Sequence, residues 1–216
     1  MTAILTRRSS HLLSAPAPTD AEFTYLLGGA ATAPDHGSLR PWRWVLLRGD
    51  GREALGDCLA AEAPPGRQER ARRKMLRSPL KAVLIFVPRL DHRVQEWEQL
   101  AGTSSMVYAM MMLLHARGYG SIWRTGALCR SEGVRELLGL SPAERVLGSL
   151  DIGTPDAQAR LLRRPREDVA AKVSAFPGAA ATASKAGDVA GPRPRAERAP
   201  GRRGPPEDST QPVSTG

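Results

Sequence analysis

The chain has 216 residues, a formal net charge of +9 and two cysteines, a length that suffices for one ordinary domain with an appendage. No stretch approaches the roughly 20 apolar residues of a membrane span, and the first eight residues lack the apolar run of a secretory leader. We therefore expect a cytoplasmic protein with no membrane association. Cys58 and Cys129 match neither a disulfide framework nor a metal-binding pair, and we predict that both are ordinary thiols.

The basic charge raises the question of nucleic acid, because polyanions are attracted to any strongly basic surface. A protein that binds single strands interleaves aromatic rings with its arginines so that bases can stack. The four tryptophans instead lie in apolar or motif contexts, at Trp42, Trp44, Trp97 and Trp123. Nucleic acid is therefore not the expected partner.

The first half of the chain alternates helix and strand signals. Thr19 begins a capping box with Glu22, and apolar residues at helical spacing follow it. Residues 42–47 predict a strand, which the turn formers Gly49, Asp50 and Gly51 should close before a second helix.

A charged helix and a buried strand come next. Residues 67–76 are good helix formers, and residues 82–87 form an unbroken apolar run. Such a run is typical of a central strand that is buried on both faces.

The second half begins with the longest predicted helix, residues 94–117, which contain no proline and one glycine. Further predictions are a short extended piece at 122–124, a helix at 132–138 and a strand at 146–152. Ser141 with Glu144 suggests another helix cap, and Gly153 to Pro155 should break the last strand. The pattern gives an α+β or α/β architecture with a small sheet.

The composition changes near Phe176, after which Gly, Ala, Pro, Ser and Arg dominate. Between Gly178 and Gly216 the only large aliphatic residues are Val189 and Val213. Such a segment buries too little to offset its ordering entropy. We predict a folded domain over residues 1–176 and a disordered basic tail over residues 177–216.

Four passages together resemble the small, single-domain branch of the nitroreductase family. They are the tripeptide RRS at residues 7–9, the loop APDHGSLRPW at 33–42, the pair WE at 97–98 and the stretch GYGSIWRTGA at 118–127. The resemblance covers residues 4–156. It implies an α+β fold with a small, mostly antiparallel central sheet flanked by helices, and a long central helix at a homodimer interface. A methionine stripe on that helix, at positions 106, 110, 111 and 112, would suit such an interface.

The resemblance also implies an FMN cofactor and assigns residues to it. Arginine pairs bind phosphate through charge-assisted bonds, and a serine hydroxyl adds another. The family pattern places three groups of residues at the flavin: Arg7, Arg8 and Ser9; His36 and Arg40; and Trp123, Arg124 and Thr125. The basic run at residues 163–166 resembles a further phosphate-binding element of larger members.

The end of the long helix corresponds to the region where the family holds its nicotinamide nucleotide. The residues concerned are Leu113, Leu114, His115, Ala116, Arg117 and Gly118. A helix C-terminus by itself is unfavourable to an anion.

Relatives carry glutamine where this chain has Arg40. A cation near the flavin would stabilise its anionic reduced form and raise its reduction potential. An unchanged potential after Arg40→Gln would refute this hypothesis.

No motif for a catalytic triad, a metal cluster or a nucleotide-binding glycine loop is evident, so the cofactor should supply the chemistry. The implied enzyme is an FMN-dependent NAD(P)H oxidoreductase that reduces nitroaromatic or quinone-type acceptors by ping-pong hydride transfer, with each flavin between two subunits. No side chain is assigned as a catalytic acid or base. One alternative is a same-fold flavoenzyme with another reaction: dehalogenation, enone oxidation or FMN cannibalisation. Another is a weakly catalytic flavin- or nucleic-acid-binding protein that uses its basic tail.

Overall fold

A computed structural model of the chain describes residues 2–156, 165 and 167–176. The chain divides into two compact units, Met1–Glu167 and Asp168–Gly216. In the second unit the structure describes a short 3₁₀ helix, Ala170–Lys172. The predicted tail, residues 177–216, lies outside the described residues, so its disorder stays a prediction.

The first unit contains six α-helices and five β-strands over its described residues. The helices are α1 Thr2–Thr6, α2 Asp20–Ala30, α3 Gly49–Ala61, α4 Gln68–Met75, α5 Glu96–Ala116 and α6 Glu132–Leu137. The strands are β1 Leu13–Ser14, β2 Trp42–Leu47, β3 Leu80–Phe86, β4 Gly120–Arg124 and β5 Arg145–Pro155. Two short 3₁₀ helices lie at His36–Ser38 and Ala127–Arg130.

The strands form one sheet in the order β1-β5-β3-β2, with β4 also paired to β5. Every pairing between these strands is antiparallel. The predicted α+β class and antiparallel central sheet are therefore confirmed. All seven residues of β3 are buried, as the unbroken apolar run predicts.

Helices cover both faces of the sheet. Because successive strand residues point to opposite faces, β3 contributes Ala82 and Leu84 to a cluster with α2 and α5. It contributes Val83 and Ile85 to a second cluster with α3 and α6. The sheet is thus the middle of three layers, and its two faces carry separate apolar cores.

The predicted start of α2 is confirmed, although the Glu22 side chain accepts a hydrogen bond from the Tyr119 hydroxyl and so does not complete the predicted capping box. The Glu22 backbone N–H donates to the Thr19 side chain over 3.1 Å, which caps α2. Helix α5 begins with a reciprocal capping box between Gln95 and Glu98. No helix among the described residues is long and apolar enough to cross a membrane.

Three local predictions are wrong. Gly49 to Gly51 do not form a separate turn but the first turn of α3. Ser141 and Glu144 close a tight turn and begin no helix, with the Glu144 N–H donating to the Ser141 carbonyl. Gly153 to Pro155 do not break β5, since Gly153 pairs with β4 and the next two residues pair with β1.

Three of the four methionines of the predicted stripe pack inside this chain, and the fourth, Met112, is half-buried. Met106, Met110 and Met111 are buried in the chain's own core, between α5 and the sheet. The large side chains that α5 exposes are instead aromatic: Trp97 is 70% exposed and Tyr108 48%.

Candidate active site

The predicted phosphate-binding segment lines a small basic cavity. Arg7 and Arg8 follow α1 and share a cavity of about 260 Å³ with Ser10, His115 and the start of β4. Ser10, which the motif does not include, donates its backbone N–H to the Ser121 carbonyl over 3.2 Å. Ser9 forms a bridge with Ser121 and is exposed.

The end of α5 forms the other wall of this cavity. Of the predicted nucleotide segment, His115 and Gly118 line the cavity, whereas Leu114 is fully buried in the core. The His115 Nε2 atom lies 2.8 Å from the Thr6 hydroxyl. Burial, and secondarily the charge of Arg7, lower the pKa of His115. A neutral imidazole therefore faces the arginines, and the cavity's positive charge comes from guanidinium groups.

The second predicted group lies at the other end of β4. Trp123, Arg124 and Thr125 line a larger cavity of about 790 Å³, which falls within the usual size of ligand pockets. Because Ser121 lines the small cavity and Arg124 the large one, β4 spans about 10 Å between them at the usual rise per residue. One strand thus joins a basic pocket to a broad one.

Arg124 is held by a buried ion cluster that the sequence did not reveal. Its Nε donates to Asp151 Oδ2 over 2.8 Å. The other oxygen of Asp151 accepts a hydrogen bond from Lys81, and both of these side chains are almost completely buried. Burial lowers the pKa of Lys81, and the charge of Asp151 opposes that shift. One carboxylate therefore serves two cations, and its bond to Arg124 fixes the guanidinium at the cavity wall.

Trp123 is oriented by a glycine on β5. Its ring N–H donates to the Leu147 carbonyl over 3.2 Å. A Cβ at Gly148 would lie 2.3 Å from the Arg124 carbonyl oxygen and 2.6 Å from the Trp123 Nε1 atom. Gly148 also has a φ of 130°, which side-chain-bearing residues rarely adopt. The close approach at this point requires glycine.

The third predicted group lies on a loop whose backbone is strained. Ser38 and Arg40 have positive φ angles of 51° and 46°, an uncommon conformation for residues other than glycine. Asp35 Oδ2 holds the turn by accepting the Arg40 N–H over 2.7 Å, while Asp35 Oδ1 is buried and has no hydrogen-bond partner among the described residues. Strain of this kind concentrates at functional sites.

His36 points to the start of α5. Its Nδ1 atom lies 2.5 Å from Glu98 Oε2, and this hydrogen bond lowers the pKa of Glu98. The imidazole remains 59% exposed. Glu98 thus anchors the loop to α5 and leaves one edge of the ring open to a ligand.

The structure does not bring the three groups together within one chain. His36 contacts α5 at Glu98, whereas the small cavity meets α5 at His115. Seventeen residues of α-helix separate these positions by about 25 Å. The loop is therefore far from Arg7 and Arg8 of the same chain.

Five cations that sequence analysis did not assign line the large cavity. They are Arg67, Arg70, Lys74, Arg77 and Arg130. The first three recur at helical spacing, a signal that the sequence contains but that by itself indicates only a charged helix.

The remaining candidates lie outside the site or outside the described residues. Cys58 and Cys129 are unpaired, and burial raises the pKa of each thiol, which favours the unreactive form. The arginines of the basic run, Arg163, Arg164 and Arg166, lie outside the described residues.

Residues 4–154 match the model of the Nitroreductase family. The chain belongs to the nitroreductase family. It is 35% identical, over 161 residues, to the Escherichia coli K12 protein named "Putative NAD(P)H nitroreductase YdjA", with 72% of this chain and 88% of that protein covered.

Solved nitroreductases share the fold. A nitroreductase-like family protein from Bacillus cereus superposes with a TM-score of 0.72 at 25% identity, over 82% of this chain and 95% of that one. A variant of NfnB from Sphigopyxis sp. strain HMH, described as an FMN and NADPH-dependent nitroreductase, gives a TM-score of 0.65 at 20% identity, over 82% of this chain and 98% of the other. The resemblance inferred from the four motifs is thereby confirmed.

Proposed function

We propose that this chain is an FMN-dependent NAD(P)H oxidoreductase that reduces nitroaromatic or quinone-type acceptors as a cytoplasmic homodimer. The observation that carries the proposal is the pair of cavities joined by β4 in a member of the nitroreductase family. One cavity suits a phosphate and the other suits a flat ring system. FMN has these two parts at opposite ends.

The residues present fit FMN. Arg7 and Arg8 provide guanidinium forks for a single phosphate. At the other end, Trp123 supplies an aromatic wall, and Arg124 and the exposed Thr125 supply donors for the carbonyl edge of the ring. Bound FMN would supply the redox chemistry, since it accepts hydride from NAD(P)H and passes electrons to an acceptor.

The chain's own residues bind the flavin and orient it. Asp151 holds Arg124 at the cavity wall, and Gly148 admits the Trp123 ring. Orientation of this kind lowers the activation barrier, because the entropy of positioning the reactants is lost on binding and not in the reaction step. No acid or base from the protein is required. The cation of Arg40 would raise the reduction potential of a flavin placed next to it, as the departure from glutamine suggests.

A homodimer explains the separation of the three groups. If the α5 helices of two subunits pack antiparallel across a two-fold axis, the His36 loop of one subunit approaches the small cavity of the other. Exposed aromatic residues support such packing, because large apolar side chains in water mark interaction surfaces. They are Trp97 and Tyr108 on α5 and Tyr25 on α2. Each flavin site would then use both chains.

Steady-state kinetics test the activity. We expect FMN-loaded protein to oxidise NAD(P)H in the presence of a nitroaromatic or a quinone, with parallel double-reciprocal lines at several fixed acceptor concentrations. Parallel lines follow because the nucleotide leaves before the acceptor binds to the same face of the ring. Intersecting lines would exclude the ping-pong order, and no oxidation by flavin-loaded protein would exclude the activity.

A further inference from the structure

One wall of the large cavity is a row of cations on α4. Arg67 immediately precedes the helix, and Arg70 and Lys74 follow at three and seven residues, so all three project from one face. At 1.5 Å per residue the row is about 10 Å long. All three side chains are exposed.

These cations have no counter-ion within the described part of the chain. The carboxylates near α4 pair with arginines outside this row: Arg72 pairs with Asp57, and Arg73 pairs with Glu69. Glu62 is the one acidic residue that lines the cavity, and its Oε1 atom accepts the Gly133 N–H over 2.8 Å. The cavity wall therefore presents uncompensated positive charge to whatever enters.

The row has an inner end at Lys74, next to β3, and an outer end at Arg67. Its C-terminal end leads through Arg77 into β3, whose residue Lys81 belongs to the ion cluster of Arg124. The flavin ring proposed above lies at this inner end. Arg67 and Arg70 line the same cavity from the other, N-terminal end of the row.

The apolar residues between the cations are small or flexible. Ala71 and Met75 line the cavity from α4, and Leu59 lines it from α3. An elongated ligand with a flat apolar body and an anionic group at its outer end matches this wall. Two kinds of molecule must enter the site, the acceptor and the reduced nucleotide. Nitroaromatics and quinones do not have an anionic group in common. The reduced nucleotide always carries phosphates, and NADPH carries one phosphate more than NADH.

We propose that Arg67 and Arg70 bind the 2′-phosphate of NADPH and make this enzyme selective for NADPH over NADH. The proposal rests on the proposed function, because it assigns the reductant of that same site, and it places the nucleotide in the large cavity instead of at residues 113–118. Arg67 and Arg70 are three residues apart, about 4.5 Å along the helix axis, and each guanidinium group can donate paired hydrogen bonds to a phosphate.

The test combines nucleotide binding with kinetics on the FMN-loaded protein. We expect the double variant Arg67→Gln/Arg70→Gln to lower kcat/KM for NADPH by about 10-fold to 100-fold through KM, because each 1.4 kcal/mol is tenfold. The value for NADH should change less than about threefold, since NADH lacks the group concerned. Arg73→Gln is the matched control, because it removes the same charge from α4 at a side chain that does not line the cavity and that pairs with Glu69.

Binding of adenosine 2′,5′-bisphosphate and of AMP, measured by calorimetry, does not depend on turnover. We expect the wild-type protein to bind the bisphosphate at least tenfold more tightly than AMP, and the double variant to lose that difference. Equal affinities for the two probes in the wild type, or an equal loss for NADPH and NADH in the variant, would overturn the proposal. A selective loss with 4-nitrobenzoate as acceptor would assign the arginines to the acceptor instead and would equally overturn it.

Failure of the proposed function gives a different result. A protein that binds no FMN, or that oxidises neither nucleotide, contradicts the oxidoreductase proposal, whereas discrimination between the two adenosine probes remains measurable in that protein.

Discussion

At the scale of single residues, the charges around Asp151 determine how Arg124 is held at the cavity wall. Lys81 and Asp151 are direct cross-strand neighbours, and Arg124 reaches the same carboxylate from β4. With both Lys81 and Asp151 buried, their attraction offsets a large desolvation cost. The two partners are therefore unequal: removal of the carboxylate leaves two cations together, whereas removal of Lys81 leaves a balanced pair.

Asp151→Asn should cost about 3–5 kcal/mol of unfolding free energy, since it leaves uncompensated buried charge. Lys81→Met, which keeps the length of the side chain, should change stability by less than about 1 kcal/mol or increase it, because it removes a buried charge whose pKa burial already lowers. Urea unfolding of both variants measures the difference. Equal losses in the two variants would show that the cluster is held by packing and not by charge.

The sequence predicted residue types at this site but not their partners. Arg124 could be assigned from its motif, and β3 from its apolar run. That Lys81 faces Asp151 depends on strand register, and register is set by which strands pair and not by the residues of either strand alone. For the same reason the α4 cations could be predicted to lie on one helix face, but their cavity could not.

At the scale of secondary-structure elements, the antiparallel pair β4–β5 shapes the large cavity. Its register places Arg124 opposite Ser149, next to Gly148. Gly148 lets the backbone of β4 and the Trp123 ring approach β5 more closely than any side chain permits. The position of the cavity wall therefore depends on one glycine.

Gly148→Ala should destabilise the protein by more than about 2 kcal/mol, because it adds a steric clash to an unfavourable φ angle. Gly139→Ala is the control: its φ is also positive, at 61°, but no atom lies within 4 Å of the added Cβ. That change should cost only about 1–2 kcal/mol. Urea unfolding gives the two costs, and tryptophan fluorescence should shift only for Gly148→Ala. Equal costs and unchanged fluorescence would contradict this account of the wall.

Elements with strong periodicity were predictable, and those defined by long-range pairing were not. Helix α5 and strand β3 carry their patterns within their own residues. The end of β5 carries turn signals at Gly153 to Pro155, yet these residues stay extended because β4 and β1 pair with them. The two-residue strand β1 has no periodicity that could reveal it and exists only through that pairing.

At the scale of the whole molecule, the fold separates the parts of the site and the family motifs imply that dimerisation reunites them. The motifs identify residues of the site but not the distances between them. The structure adds that His36 and the pair Arg7 and Arg8 meet α5 near its opposite ends, about 25 Å apart. A monomer could not place these groups on one flavin, so cofactor binding and dimerisation are predicted to be linked.

The absorbance spectrum of the purified protein, with the cofactor identified after heat release, tests the central claim most directly. We predict the bands of oxidised flavin and one FMN per chain, because each chain contains one copy of the cavity pair joined by β4. A colourless protein that also fails to take up added FMN would contradict the account and would mean that Arg40, in place of the family's glutamine, has abolished the flavin site.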